Sequence, residues 1–228
     1  SADSDATANV GTYAITPSAA VAGAATTLAN YSITYVDGGL TVNQATLTVT
    51  ADNASKTYGD ANPSFTATYS GFQNSDTSSV LTGDSSLSTN ATAASDAGSY
   101  TITAAAGDLA ATNYTFNYVN GTLTVNQKTL TITADAQSKT YGDTLTFVGN
   151  EFTISTMVGS ESIASAAFTV ASSADSDATA NVGTYAITPS SAVATSGTTL
   201  ANYSITYATQ DLTVNKATLT VTADDASK

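Results

Sequence analysis

The chain is 228 residues long and carries 18 acidic side chains against five Lys, with no His and no Cys. Its formal charge of −13 repels phosphate backbones and anionic lipid, which disfavours nucleic acid and membrane surfaces as partners, and no apolar run reaches the ~20 residues that cross a bilayer as a helix. The absence of Cys and His removes thiol chemistry and zinc–thiolate sites, and charged residues make up only 10% against roughly 25% in an average soluble domain.

Thr, Ser, Ala, Asn and Gly fill the gap, and Thr with Val, Ile and Tyr favours extended chain over helix. No window places apolar residues at helical spacing, so the chain reads as all-β. In chain order, Gly11-Thr12-Tyr13 opens the first strand, and Tyr31, Ile33, Tyr35, Leu40 and Val42 alternate with polar residues. The inward parity then flips: Leu40 and Val42 are even-numbered, whereas Leu47, Val49 and Ala51 are odd. A period-2 strand cannot change parity without a break, which falls at Asn43-Gln44-Ala45. Lys56-Thr57-Tyr58-Gly59-Asp60 and Gly98-Ser99-Tyr100 follow. Residues 114–126 read as a hairpin: Asn120-Gly121 is a type I′ turn pair that sets Tyr118 against Leu123 and Phe116 against Val125. A second break lies at Asn126-Gln127-Lys128, and Lys139-Thr140-Tyr141-Gly142-Asp143, Gly183-Thr184-Tyr185 and the series Tyr203, Ile205, Tyr207, Leu212, Val214 come round again. The third break is Asn215-Lys216-Ala217, and the chain stops at Lys228.

These recurrences are internal repeats. Residues 1–56 align without gaps to 173–228, an offset of 172, with 46 of the 56 positions identical. That unit is itself two related halves. The expected division is 1–44 as the C-terminal half of a type-B repeat, 45–127 as a complete type-A repeat, 128–216 as a complete type-B repeat, and 217–228 as the first strand of the next type-A repeat. No Gly/Ser-rich or Pro-rich spacer lies between them, so domains of this size are expected to stack end to end as a semi-rigid rod.

The order Thr-Leu-Thr-Val-Thr-Ala-Asp (46–52), Lys-Thr-Tyr-Gly-Asp, Gly-Xaa-Tyr-Xaa-Ile-Thr and Asn-Tyr-Xaa-Xaa-Xaa-Tyr, ending in Leu-Thr-Val-Asn, resembles the MBG domain repeats of the Tyr-Gly type. Such repeats occur in long bacterial surface adhesins and filamentous-haemagglutinin-like proteins. The resemblance covers essentially the whole chain. It implies tandem β-grasp-like or β-sandwich-like domains exported to the bacterial cell surface, and it transfers no catalytic residue. The type-B repeat departs from the pattern where Thr144-Leu145-Thr146-Phe147 replaces Ala61-Asn62-Pro63-Ser64-Phe65.

The expected function is therefore structural: a segment of a secreted adhesin stalk or of an extracellular filament, with no enzymatic activity. Its partners would be neighbouring repeats of the same chain, and lateral self-association through sheet edges would build a filament. The alternative is an adhesion module that binds a glycan or a host protein, although specificity usually lives in long, divergent loops that these repeats lack. No cofactor is required by the sequence. Calcium is the one metal it suggests, because Asp52, Asp60, Asp135 and Asp143 flank the junction loops and could supply hard oxygen ligands; Asp224 and Asp225 begin a third such loop. The competing reading gives these Asp residues to strand ends and Asx turns. The pairs Asp3, Asp5 and Asp175, Asp177 lack the Gly and distal Glu of a calcium loop and read as solvated. All five Lys (56, 128, 139, 216 and 228) read as peripheral, which argues against Lys–Asn crosslinks, and the Tyr residues that alternate with Thr read as core.

Overall fold

The computed structural model describes residues 7–171 and 176–228. Regular structure there is β-strand apart from three single-turn 3-10 segments, Leu28–Asn30, Ser78–Val80 and Leu200–Asn202. No helix of the described residues is long and apolar enough to cross a membrane. The chain divides into two compact units. The first comprises Ser1–Ala54, Ser64–Asn90 and Tyr100–Leu123; the second comprises Ser55–Pro63, Ala91–Ser99 and Thr124–Lys228.

Strands β1 (Gly11–Ile15) and β2 (Gly38–Val42) pair antiparallel as a two-stranded sheet, with Tyr13 opposite Leu40. Then come β3 (Ala45–Ala51), β4 (Ala54–Thr57), β5 (Ala67–Ser70), β6 (Ser86–Ser88), β7 (Gly98–Ala105), β8 (Tyr114–Val119) and β9 (Gly121–Asn126). They form sheets in the orders β5–β3–β8 and β4–β9–β7–β6. The next seven are β10 (Lys128–Ala134), β11 (Gln137–Thr140), β12 (Phe152–Ile154), β13 (Ile163–Val170), β14 (Gly183–Ala194), β15 (Tyr203–Ala208) and β16 (Gln210–Asn215). Their orders, β12–β10–β15 and β11–β16–β14–β13, repeat the previous plan strand for strand. Every sheet draws its strands from one sequence repeat, and the breaks at 43–44 and 127 separate β2 from β3 and β9 from β10, where parity placed them.

In the second unit the packing is that of a sandwich. Ala134 on β10 meets Ile187 on β14 and Leu212 and Val214 on β16, with Leu145, Phe147, Phe168, Val170 and Tyr185 around them. Phe147 and Phe168 stack with centroids 5.2 Å apart. In the first unit Leu47, Val49, Ile102 and Leu123 are completely buried. Alternation therefore assigned the inward faces correctly, because a pleated strand exposes successive side chains on opposite faces.

Pairing is where the sequence expectation fails. Residues 114–126 do not form a hairpin: β8 runs parallel to β3, with Leu47 beside Phe116 and Val49 beside Tyr118, while β9 belongs to the other sheet. β15 likewise runs parallel to β10, with Leu130 beside Ile205, and β16 parallel to β11. A period of two fixes the face of each strand and leaves its partner open. Crossing between sheets at residue 120 lets β3 hold a neighbour on both edges and lets both sheets turn their apolar faces inward. Asn120 and Gly121 are accordingly absent from the residues with positive φ. The Asn120 side chain accepts the Ala104 N–H at 3.0 Å, which caps β7 at the corner.

Gly121 is required for closeness, since a Cβ there would lie 2.5 Å from the Ala51 carbonyl oxygen and 3.0 Å from that of Asp52. Both obstacles are backbone and cannot swing away. Gly121→Ala is expected to cost about 1–3 kcal/mol, the usual range for forced overpacking. Gly39→Ala, where a Cβ meets nothing within 4 Å, is expected to stay within about 0.5 kcal/mol of the parent. Calorimetric melting of the two variants compares them directly.

The segment 217–223 forms no strand, and Leu219 and Val221 stand exposed. Its counterparts β3 and β10 each lie between two neighbours, whereas no described strand pairs with 217–223. Residues 31–36 also stay outside any sheet.

Candidate functional site

The Lys-Thr-Tyr-Gly-Asp motif makes a tight turn in both of its copies. Asp60 N–H donates to the Thr57 carbonyl at 3.0 Å, and Asp143 N–H to that of Thr140 at 2.9 Å. Gly59 and Gly142, third in each turn, have φ of 91° and 100°, the left-handed value a type II turn demands and only Gly adopts cheaply. The Tyr N–H of each copy donates to the carbonyl of the last residue of a strand, Tyr58 to Asn126 of β9 and Tyr141 to Asn215 of β16, both at 2.8 Å.

The motif lysines are not peripheral, contrary to the sequence expectation. Lys56 and Lys139 are each only 7% exposed. The Lys56 ammonium donates to the carbonyls of Asp60, at 3.1 Å, and Thr92, at 2.5 Å. That of Lys139 donates to the carbonyls of Asp143, at 3.3 Å, and Asp177. Each lysine thus pins its own turn to a facing loop, and a buried ammonium survives because backbone oxygens replace water around it. The signal was present in the sequence: Lys56 and Tyr58 share the parity of one strand face, and β4 and β11 both bury their third residue.

A second constellation is built twice, once inside each unit. In the second unit Asn202, 1% exposed, donates to the Asp96 carboxylate at 2.7 Å and accepts the Ala97 N–H at 2.8 Å. Next to it, Tyr203 OH donates to Glu161 Oε2 and accepts the Val158 N–H at 2.9 Å. Tyr58 OH donates to Glu161 Oε1 at 3.0 Å, and the Tyr58 and Tyr203 rings meet edge to face at 5.6 Å and 80°. Gln127 at the linker donates to the Ala201 carbonyl at 2.9 Å. Burial first, and then the hydrogen bond to Glu161, push the Tyr203 hydroxyl up to about 12. Tyr58 is raised for the same two reasons, burial again leading.

In the first unit Asn113 accepts the Val10 N–H at 3.1 Å and donates to Asn9 Oδ1 at 2.8 Å. Tyr114 OH donates to the Asp76 carboxylate at 2.7 Å and accepts the Gln73 N–H at 2.9 Å; burial, then Asp76, raise its pKa. Gln44, the linker residue here, donates to the Thr112 carbonyl at 3.0 Å. The ring of Tyr114 meets Phe72 edge to face at 5.9 Å. The Asn-Tyr pair, the linker Gln and an acid facing the phenol therefore recur as a set. Sequence reading assigned Tyr114 and Tyr203 to the core, where both rings indeed lie. It missed the hydroxyls and Glu161, although Glu161 is one of only two Glu in the chain.

The four Asp residues proposed for calcium do not gather. Asp52 already accepts Thr66 Oγ1 and Thr68 Oγ1, both at 2.7 Å, and these bonds, Thr66 first, lower its pKa. Asp60 serves its turn through its backbone. Asp135 N–H donates to the Glu151 carbonyl at 2.9 Å, and Asp143 Oδ2 accepts the Thr140 N–H at 3.4 Å. Among the described residues no three His, Cys, Asp or Glu side chains are grouped to hold a metal. Asp177 is held by Thr179, whose N–H reaches it at 2.9 Å; Asp3, Asp5 and Asp175 lie outside the described residues. Melting with and without EDTA is expected to give the same Tm, and a fall on chelation would show that a metal stabilises the fold.

No curated protein matches the chain. The model of the MBG domain (YGX type) matches it three times, over residues 1–41, 47–124 and 130–213. The motif turns at Tyr58-Gly59 and Tyr141-Gly142 fall within the second and third of these matches, and the chain belongs to the MBG domain family of the YGX type, as a tandem array of its repeats.

Proposed function

We propose that this chain is a spacer: a passive segment of a secreted bacterial surface adhesin stalk or extracellular filament, without catalytic activity. The observation that carries the reading is the Asn-Tyr constellation, which in each unit combines an Asn-Tyr pair, a linker Gln and an acid facing the phenol. In each case it ties residues on the two sides of a linker only one or two residues long (43–44, 127). Side-chain hydrogen bonds across a short linker restrict hinge motion, which is what a spacer needs and what a binding loop does not. Export to the cell surface is supported by the family's occurrence in bacterial surface adhesins and by an acidic, Thr-rich composition.

Small-angle scattering of the monomer tests the spacer. A compact globule of this length would have a radius of gyration of about 17 Å. The expected value is clearly larger, with the extended distance distribution of a rod. A value at the globular figure would overturn the reading.

A further inference from the structure

The 57–60 turn of the type-A repeat packs against a second turn, 158–161, that lies beyond the linker at 127. This second turn closes through the Glu161 N–H and the Val158 carbonyl at 3.1 Å. Both turns belong to the second compact unit, together with 91–99. Gly59 leaves its side-chain space to Val158: a Cβ there would lie 2.6 Å from Val158 Cγ2 and 3.3 Å from Cγ1. Valine is stiff about χ1 and cannot swing clear. Beside that contact the Tyr58 hydroxyl crosses to Glu161 at 3.0 Å, and the buried Tyr58 and Tyr203 rings meet at 5.6 Å.

The loop next to the Tyr-Gly turn completes the surface. Two side chains hold it there: the Lys56 ammonium donates to the Thr92 carbonyl at 2.5 Å, and the Asn62 amide to the Ala91 carbonyl at 2.7 Å. Asp96 and Ala97 on the same loop take the Asn202 side chain at 2.7 and 2.8 Å. The type-A repeat thus presents 58–59 and 96–97, and the type-B repeat supplies Val158, Glu161, Asn202 and Tyr203 to them. Half of this arrangement recurs inside the first unit. Asn9-Val10 precede β1 as Asp96-Ala97 precede β7, and Asn113 engages the Asn9 side chain and the Val10 N–H as Asn202 engages Asp96 and Ala97.

We infer that the Lys-Thr-Tyr-Gly-Asp turn and the loop it pins form a docking surface for the next repeat of the array. Each motif residue then has a part in one contact. Lys56 sets the loop, Gly59 leaves room for Val158, and Tyr58 supplies the hydrogen bond to Glu161. Repeats joined in this way fold as coupled nearest neighbours, each lending stability to the one before it, rather than as independent beads. Molecular shape plays no part in this inference, so it stands or falls separately from the spacer reading.

Amide hydrogen exchange of the full chain, resolved residue by residue, tests it, because protection reports local opening. Two changes are made in the type-A repeat and read in the type-B repeat. Tyr58→Phe removes only the crossing hydroxyl and keeps the ring, so the fold is retained, whereas Gly59→Ala sets a methyl group against Val158. Each is expected to lower the protection of the Val158 and Glu161 N–H groups. For Tyr58→Phe the fall is roughly tenfold or more, as for one lost hydrogen bond to a charged group, and for Gly59→Ala it is larger. The reciprocal change, Asn202→Ala, is read at the Tyr58 and Asp60 N–H groups, which bond to Asn126 and Thr57 and not to Asn202. Their protection is expected to fall as well. A loss that stays within the substituted repeat, in any of the three variants, overturns the inference. Val158 and Glu161 amides that exchange freely in the parent would overturn it too.

Discussion

Lys139→Met is expected to lower the melting temperature of the second unit by roughly 5–10 °C. Methionine keeps the length and the apolar stem of lysine and removes only the ammonium group. The carbonyls of Asp143 and Asp177, which that group caps, are left without their charged donor. Losing hydrogen bonds from a charged group costs about 1.5–3 kcal/mol, with a further penalty for any acceptor left dry. Each kcal/mol moves Tm by about 4–8 °C in a domain of 60–100 residues and about 2–4 °C in one of 150–250, and the second unit lies between these sizes. Removing a buried charge can stabilise a protein when its partners leave with it. Here the partners are main-chain oxygens that stay, so the sign is destabilising. Lys216→Met is the control: Lys216 is exposed, and a surface substitution shifts stability by no more than about 0.5 kcal/mol. Equal melting of the two variants would show that the lysine pin contributes nothing. Lys56 makes the same pair of contacts, so Lys56→Met is expected to behave like Lys139→Met.

The lysine pin also shows which kind of information the sequence carried. Repeats, strand faces and linkers were legible because each is written in local order: Leu47, Val49, Leu123 and Val125 alternate, and parity breaks mark the ends of β2 and β9. Pairing was not legible. The Asn120-Gly121 pair carries a strong hairpin signal, yet the equivalent position in the next repeat is Thr209-Gln210, and the chain changes sheet there as well. That second copy, with no turn-forming pair, held the evidence that a type I′ turn is not what the corner needs. Lys56 and Lys139 occupy the inward parity of β4 and β11, a position that their charge alone disguises. The Asn-Tyr pairs were recognised as recurring, but a hydroxyl's partner lies about 40 residues away in sequence for Tyr203 and Glu161, beyond anything local patterning encodes.

Alkaline titration is expected to expose the Tyr203 contact as a loss of stability between about pH 10 and pH 12. One carboxylate, Glu161, receives both phenols, from Tyr58 at 3.0 Å and from Tyr203. A free tyrosine titrates near 10, whereas burial, followed by the bond to Glu161, raises Tyr203 to about 12 in the fold. Between those values the folded state binds more protons than the unfolded state, so stability falls as pH rises through the window and is fully present below it. Tyr58 and Tyr114 are raised too and act in the same direction. Tyr203→Phe separates the contribution of this hydroxyl. At neutral pH it removes the bond to Glu161 and the acceptor of the Val158 N–H, an expected cost of about 1.5–3 kcal/mol. Above pH 10 the variant is expected to lose stability less steeply than the parent, because one raised group is gone. Calorimetric or denaturant unfolding at intervals from pH 8 to pH 12 reads both effects. A variant with the parent's stability at pH 8 and the parent's slope above pH 10 would mean that the Tyr203 hydroxyl holds nothing. The Tyr203 ring would then contribute packing alone, and the case for a stiffened linker at Gln127 would rest on Asn202.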